Sequence, residues 1–248
     1  MVLAATAKMI YRVFTSLLSI LYPPTCIRCK KTCFDANLLC EKCWSNLTFI
    51  TREYCKKCGT SLLSDNHPCL CTEERCIHEN HLYHSTRSII EYNDIAKDLI
   101  KRFKFYAKFK VVRLFKNWFN CILKEHFYQE IDCIIPVPLH KQKLKIRGYN
   151  QTVILAKIIS QIIKKKYYTK ILLKVKDTAN QSGLKGRARK RNLIEAFDID
   201  HENAYIIKDK KILLIDDIVT TGTTVNECSK ILLKYGAFET RILSLARR

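Results

Sequence analysis

The sequence predicts an α/β protein in which a parallel sheet flanked by helices follows a small cysteine-rich module. Two observations lead to this prediction. Ten of the 13 cysteines lie within residues 26–76, mostly as close pairs. From residue 131 onward, short apolar segments alternate with helical patterns, which is typical of a parallel sheet buried on both faces. We therefore divide the chain into an N-terminal helix (1–25), the cysteine-rich module (26–80) and the α/β domain (81–248).

The composition indicates a folded protein with an anionic partner. The chain is 48% hydrophobic and 10% aromatic, which excludes disorder, and its 6 Gly and 5 Pro exclude a collagen-like protein. The formal net charge is +21. Residues 101–150 hold 12 basic and 3 acidic residues, and residues 151–200 hold 12 and 4, giving +9 and +8. Positive charge concentrated in this way predicts nucleic acid, a membrane surface or a polyphosphate as the partner.

Residues 10–22 form the segment that most resembles a targeting signal. They are too few to span a bilayer, which takes about 20 apolar residues. Lys8 is the only basic residue before them, and no A-x-A cleavage site follows. We therefore expect an amphipathic helix that ends at Pro23 and Pro24, rather than a signal peptide. The protein is then expected to be cytoplasmic, without stable membrane insertion and with reduced thiols.

The cysteines of the module have the spacing of metal ligands. The close pairs are Cys26 and Cys29, Cys40 and Cys43, Cys55 and Cys58, and Cys69 and Cys71. Two C-x-x-C pairs about ten to twenty residues apart form a four-cysteine zinc ribbon. The first four cysteines thus predict one structural Zn²⁺ site and the last four a second. Because the fourth pair is C-x-C, Cys76 or His67 could replace a ligand there. An iron–sulfur cluster is the alternative occupant.

The elements that follow the module are predicted from apolar periodicity. Residues 84–92 alternate as in a strand, and residues 94–124 have the pattern of one long helix. Continuous apolar runs predict strands at residues 132–137, 170–175, 211–215 and 240–245. Helical patterns lie between them at residues 150–165 and 224–235. Strands and helices in this order form parallel units.

Residues 212–224, ILLIDDIVTTGTT, combine a buried strand, two acids and a small-residue loop that opens a helix. Open α/β sheets bind ligands at the carboxyl ends of their strands, and a helix N-terminus presents N–H groups to a phosphate. The carboxylates of Asp216 and Asp217 suit ribose hydroxyls and, directly or through water, Mg²⁺. The alternative is an ordinary strand, turn and helix without a ligand.

This segment resembles the phosphoribosyl-pyrophosphate (PRPP) signature of the type I phosphoribosyltransferases, and it implies their fold for the α/β domain. On that resemblance Asp216 and Asp217 would face the ribose hydroxyls, and Mg²⁺ would bind together with PRPP. The loop behind the two acids would hold the 5′-phosphate. Its residues are Thr220, Thr221, Gly222, Thr223 and Thr224.

Two further segments resemble the competence protein F (ComF) family, phosphoribosyltransferase-like proteins associated with DNA uptake. Residues 137–151, VPLHKQKLKIRGYNQ, match its V-P-L-H and R-G-[FY]-N-Q signature and correspond to the pyrophosphate loop, where Lys141 and Arg147 would pair with the anion. Residues 177–197 match its Q-x2-L-x4-R-x2-N pattern and correspond to the flexible catalytic loop, which would make Arg189 catalytic beside Asp216 and Asp217. The family also begins with a cysteine knuckle module, so the resemblance covers nearly the whole chain.

The resemblance implies a protein that binds PRPP and Mg²⁺ and supports uptake of single-stranded DNA in natural transformation, with DNA-uptake proteins as further partners. The alternative is an active phosphoribosyltransferase, which transfers phosphoribosyl from PRPP to an acceptor and releases pyrophosphate. Phosphoribosyltransferases that act on a purine or pyrimidine recognise the base with a separate part of the protein, the hood, and no feature of this sequence can be assigned to a hood. The sequence therefore does not identify the acceptor.

Charges and aromatic residues in the stretch before residue 131 predict a surface for single-stranded DNA. Lys101, Arg102 and Lys104 are interspersed with aromatic residues, which is the composition of a basic groove with stacking platforms. The aromatic residues are Phe103, Phe105, Tyr106, Phe109 and Phe115. The alternative is a solvated basic helix face whose aromatic residues belong to the core.

Overall fold

The computed structural model describes residues 23–33, 38–51, 54–62, 81–106, 109–123, 128–176 and 195–248. The helix predicted at residues 10–22 lies outside these ranges, as do Arg189, Cys69 and Cys71. In the described ranges, no helix combines the length and the apolar character needed to cross a membrane.

The described residues form seven strands, six α-helices and a 3-10 helix. The strands are β1 (Ser85–Glu91), β2 (Cys133–Pro136), β3 (Lys166–Tyr167), β4 (Leu172–Lys174), β5 (Phe197–Ile199), β6 (Lys211–Val219) and β7 (Glu239–Arg247). The α-helices are α1 (Glu41–Ser45), α2 (Asp94–Tyr106), α3 (Phe109–Ile122), α4 (Lys141–Arg147), α5 (Gln151–Ile163) and α6 (Thr223–Lys234), and the 3-10 helix is His201–Ile207.

Five strands form the predicted parallel sheet, in the spatial order β1-β7-β6-β2-β3. Residues 212–215 of the central strand β6 are fully buried. Leu213 and Ile215 belong to the core that contains α2, α3 and α5, whereas Ile212 and Leu214 belong to the core that contains α6. Both faces of the sheet are therefore covered, which explains the continuous apolar run in the sequence.

Three predicted elements differ from the structure. Residues 170–175 do not join the parallel sheet, because β4 pairs antiparallel with β5, with Lys174 opposite Phe197. The long helix predicted at residues 94–124 is two helices, α2 and α3. The strand predicted to end before the two acids continues through them, because β6 stays in register with β7 as far as Val219 and Arg247.

The direction of the connections places a crevice between β2 and β6. From β2 the chain runs through α5 to β3, which lies on one side, and from β6 it runs through α6 to β7, which lies on the other. The loops that follow these two neighbouring strands therefore diverge. In open α/β sheets, ligands bind at such a switch point, outside the carboxyl ends of the strands.

The cysteine-rich module covers the outer edge of β1. Ile50 N donates to Ile89 O and Glu91 N to Thr48 O, both at 2.9 Å, and Phe49 pairs antiparallel with Ile90. A buried arginine on β1, Arg87, donates to Ile50 O at 2.8 Å. Pairing satisfies backbone groups that an open sheet edge would leave exposed, so the module and the sheet share a hydrogen-bonded interface.

We expect Ile50→Ala to destabilise the whole chain, because Ile50 is 1% exposed at this interface. Truncating a buried isoleucine costs about 2–5 kcal/mol of unfolding free energy. Thermal and urea unfolding of Ile50→Ala should each show a single transition with a lowered midpoint. Thr51→Ala, at an exposed neighbour, should leave both midpoints unchanged. Two separate transitions, of which Ile50→Ala moves only the smaller, would show that the module unfolds independently.

Candidate functional site

Asp217 occupies the centre of the crevice, and its side chain is only 7% exposed. Lys104 Nζ lies 2.7 Å from Asp217 Oδ2, and Gln151 Nε2 donates to the same oxygen at 3.0 Å. Within the described residues no hydrogen bond engages Oδ1. An ionised carboxylate can accept on both oxygens, so Oδ1 can accept a hydrogen bond from a ligand hydroxyl.

Asp216 lies beside it with its side chain partly exposed. Its Oδ1 accepts the backbone N–H of Asp217 at 2.8 Å. The register pairs Asp216 with Ser244 of β7. The structure places both acids inside β6 rather than after its end, so their side chains point to opposite faces of the sheet, with Asp217 towards α2 and α5. The role of Asp216 at the crevice stays a prediction.

The segment after β2 is a short helix rather than an open loop. The His140 side chain accepts from Gln142 N at the start of α4, and the helix ends at Gly148. Lys141 is exposed at its first position, and Ile146 is 86% exposed. No residue of α4 is buried. Lys141 is therefore accessible from solvent, and its pairing with an anion stays a prediction.

Most of the R-G-Y-N-Q motif forms hydrogen bonds within the protein. Arg147 Nη1 donates to Gln151 Oε1 at 2.5 Å, which connects Arg147 through Gln151 to Asp217. The Tyr149 hydroxyl donates to Phe103 O at the end of α2. Asn150 caps α5 by accepting from Thr152 N at 3.1 Å. The motif holds α2, β2 and β6 together around the crevice.

The loop between β6 and α6 has the geometry expected of a phosphate site. Gly222 precedes the helix with φ +76°, and no side chain caps α6. A Cβ at Gly222 would lie 2.8 Å from the Tyr83 hydroxyl, so both the backbone angle and the space require glycine. Arg247 Nη1 donates to Val219 O and to Thr220 O beneath the loop. Thr223 N donates to Thr221 Oγ1 at 3.4 Å, whereas the next N–H groups of α6 can donate to an anion.

The three cations predicted to form one DNA surface have different environments. Lys101 is exposed, whereas Arg102 Nη2 donates to Arg28 O at 3.0 Å and Lys104 pairs with Asp217. Lys104 belongs to the crevice, which the sequence did not indicate because no local pattern relates Lys104 to the distant Asp217. Lys101 is exposed whereas Arg102 and Lys104 are partly buried, so a common nucleic-acid surface of these three residues stays a prediction.

Two of the predicted stacking residues are in the core. Phe103 and Phe115 are fully buried, with their rings in a T-shaped contact at 5.4 Å. Phe105 is 57% exposed and lies beneath the guanidinium of Arg147. The side chains of Tyr106 and Phe109 lie outside the described residues. Buried rings cannot stack on bases, so the aromatic part of the groove prediction is wrong for Phe103 and Phe115.

The first four cysteines converge on one point. The Sγ atoms of Cys26, Cys29, Cys40 and Cys43 lie within 4.8 Å of one another, and those of Cys29 and Cys40 are 3.5 Å apart. Thiolates around a tetrahedral Zn²⁺ lie about 3.8 Å apart, because each Zn–S bond is about 2.3 Å long. The four residues therefore fit a structural Zn²⁺ site with no position left for a catalytic water.

Backbone N–H groups around Cys26 favour the thiolate form of its side chain. Burial acts to raise the pKa of Cys26, but hydrogen bonds from the N–H groups of Cys29 and Cys40 outweigh it and lower this pKa to about 6. Burial raises the pKa of Cys43 to about 12. N–H groups directed at sulfur stabilise the deprotonated ligand that a metal requires.

The backbone around Cys55 and Cys58 repeats the backbone around Cys26 and Cys29. Cys26 N donates to Lys31 O and Cys55 N to Thr60 O, both at 2.8 Å, and the residue after each pair has positive φ, 67° at Lys30 and 74° at Gly59. The pKa of Cys55 is raised by its side-chain hydrogen bond with Cys58 and by burial. The remaining predicted ligands, Cys69 and Cys71, lie outside the described residues.

This fold and these two centres define a phosphoribosyltransferase-like domain joined to a zinc ribbon. Residues 17–76 match the family model of the double zinc ribbon domain, and residues 150–248 match that of the phosphoribosyl transferase domain. The zinc ribbon match and the clustered thiolates support Zn²⁺ rather than an iron–sulfur cluster.

Comparison with curated proteins identifies the family. The chain is 31% identical over 230 residues to Competence protein F from Haemophilus influenzae, with 90% of this chain and 96% of that protein covered. It is 29% identical to Competence protein ComFC from Bacillus subtilis, with 80% and 79% covered. It is 26% identical to the DNA utilization protein YhgH from Escherichia coli (strain K12), with 84% and 90% covered. The chain belongs to the competence protein F (ComF) family, as its motifs predicted.

Removing Zn²⁺ with a chelator should lower the melting temperature, because metal binding contributes to the free energy of folding. Cys40→Ser should reduce both the metal content, measured by mass spectrometry, and the melting temperature. Cys121→Ser changes an exposed cysteine of α3 and should alter neither. An unchanged melting temperature after verified metal removal would contradict a structural role.

Proposed function

We propose that this ComF-family protein binds PRPP with Mg²⁺ in the crevice between β2 and β6, and that it supports the uptake of single-stranded DNA in natural transformation. The PRPP proposal depends chiefly on the surroundings of the Asp217 carboxylate. One of its oxygens is held by Lys104 and Gln151, while the other is left for a ligand hydroxyl. It lies on the same strand that leads into the uncapped N-terminus of α6.

Each part of PRPP has a suitable partner in this arrangement. Asp217 Oδ1 would accept a ribose hydroxyl, and the first N–H groups of α6 with the hydroxyls of Thr221 and Thr223 would bind the 5′-phosphate. Lys141 would approach the pyrophosphate from α4. Mg²⁺, when bound with PRPP, would neutralise part of the pyrophosphate charge. Together these groups would fix the ribose between its two anionic ends.

The DNA proposal is supported by charge and by the relatives. Lys110, Arg113 and Lys116 are exposed at helical spacing on α3, whose opposite face is buried through residues such as Phe115 and Phe119. A cationic stripe on a fixed helix can follow a phosphate backbone without reading its sequence. The names Competence protein F and DNA utilization protein, given to relatives, agree with such a partner. We place this activity in the cytoplasm, where incoming strands would arrive beside other DNA-uptake proteins.

Calorimetric titration tests the PRPP site. We expect PRPP to bind in a Mg²⁺-dependent manner and Asp217→Asn to abolish binding, because the ribose hydroxyl loses a charged acceptor. Asp94→Asn, at an exposed acid of the same domain, should bind as the unchanged protein does. Equal PRPP affinity of the Asp217→Asn variant and the unchanged protein would overturn the assignment. Release of pyrophosphate with an added acceptor would establish the transferase alternative.

The salt dependence of single-strand binding tests the DNA surface. We expect the combined change Lys110→Gln, Arg113→Gln and Lys116→Gln to weaken binding. The slope of log K against log salt should become shallower by about 0.7 for each phosphate that the variant no longer neutralises. PRPP binding should be retained, because none of these residues lies at the crevice.

The matched control for this experiment removes three exposed lysines elsewhere, through Lys208→Gln, Lys210→Gln and Lys230→Gln. It produces the same change in net charge. An equal loss of affinity in both triple variants would assign the effect to overall charge and would remove α3 as the site. An affinity that does not change with salt would exclude an electrostatic DNA surface altogether.

A further inference from the structure

Lys104 is fixed in the crevice by its surroundings. Its side chain is 23% exposed, and its ammonium lies 2.7 Å from Asp217 Oδ2. The residues on either side of it are held by the R-G-Y-N-Q motif, because Tyr149 donates to Phe103 O and the guanidinium of Arg147 lies 5.5 Å from the ring centre of Phe105. The last turn of α2 therefore forms one wall of the site.

The ammonium of Lys104 has donors left for a ligand. A lysine carries three N–H groups, and among the described residues only the bond to Asp217 engages them. Asp217 and Lys104 together form a neutral pair. The acid can therefore accept a ribose hydroxyl without repelling an anionic group next to that hydroxyl.

The chemistry of PRPP places its pyrophosphate within reach of this position. The pyrophosphate is bonded to C1 of the ribose, and the hydroxyl on C2 is its immediate neighbour. A carboxylate that accepts from the ribose hydroxyls and a lysine paired with that carboxylate thus face adjacent parts of one ligand. Ribose 5-phosphate has the same hydroxyls and the same 5′-phosphate but no pyrophosphate at C1.

We propose that Lys104 is a pyrophosphate-binding residue that makes the crevice select PRPP over ribose 5-phosphate. This inference rests on the proposed function, since it assumes that Asp217 faces the ribose. On this inference Lys104 belongs to the ligand site rather than to the basic surface predicted from the sequence. Arg147 uses one of its donors to bind Gln151, and Lys104 on α2 places a second cation beside Asp217.

The test compares two ligands on matched variants. PRPP and ribose 5-phosphate are titrated with Mg²⁺ into the unchanged protein, Lys104→Gln, Lys104→Arg and Lys101→Gln. Lys101 lies on the same helix but is exposed, so it controls for the loss of one charge. We expect Lys104→Gln to weaken PRPP binding by about tenfold or more, because it removes a cation and leaves Asp217 beside the pyrophosphate. Ribose 5-phosphate affinity should stay within about twofold.

The conservative variant separates charge from structure. Lys104→Arg should keep the preference for PRPP, because it keeps a cation at this position. Lys101→Gln should bind both ligands as the unchanged protein does. Lys104→Met, which keeps the aliphatic part of the side chain, repeats the test if melting shows that Lys104→Gln is not folded.

Three results would overturn the inference, and each has a different meaning. An equal loss of affinity for both ligands in Lys104→Gln would show that Lys104 only orients Asp217, while the proposed function would stand. Failure of the folded, unchanged protein to bind either ligand would overturn the proposed function and this inference together. Retained PRPP affinity in Lys104→Gln would also overturn the assignment to the pyrophosphate.

Discussion

The parallel pairing of β6 with β2 on one side and β7 on the other determines where a ligand can bind. The connections that leave β2 and β6 run in opposite directions, so the loops at their carboxyl ends diverge and open a crevice. Asp217 reaches this crevice from β6, and Gln151 reaches it from the start of α5. A strand order in which β2 and β6 were not neighbours would separate the two loops that resemble the phosphate and pyrophosphate sites.

The R-G-Y-N-Q motif works mainly as a brace for this crevice. Its tyrosine bonds to α2, its asparagine caps α5, and its glutamine connects Arg147 to Asp217. A motif can therefore resemble a binding loop because it positions the binding residues. The charge that contacts the central acid comes from α2, an element that the motif fixes in place. Helix α2 thus presents Lys101 to solvent and Lys104 to the site.

The cysteine module takes part in the architecture of the sheet. It pairs with β1, the strand that would otherwise be an open edge, and it is further connected to α2 through an ion pair of Arg28 with Asp98 at 3.0 Å. Four clustered thiolates and the repeated knuckle backbone explain why two ribbons can form from one local pattern. A metal ion bound to the module would stabilise the backbone segment that forms hydrogen bonds with β1.

Spacing along the chain was enough to predict the class of fold and the first set of metal ligands, and it marked Asp216 and Asp217 as candidate site residues. Continuous apolar runs specify buried strands, C-x-x-C specifies a knuckle, and acids followed by a small-residue loop specify a strand end that faces a helix N-terminus. Three features became apparent in the folded chain alone: α2 ends in the crevice, Phe103 and Phe115 are core residues, and β4 pairs with β5 outside the main sheet. These features depend on contacts between distant segments, and no local period records which side of a helix another element will cover.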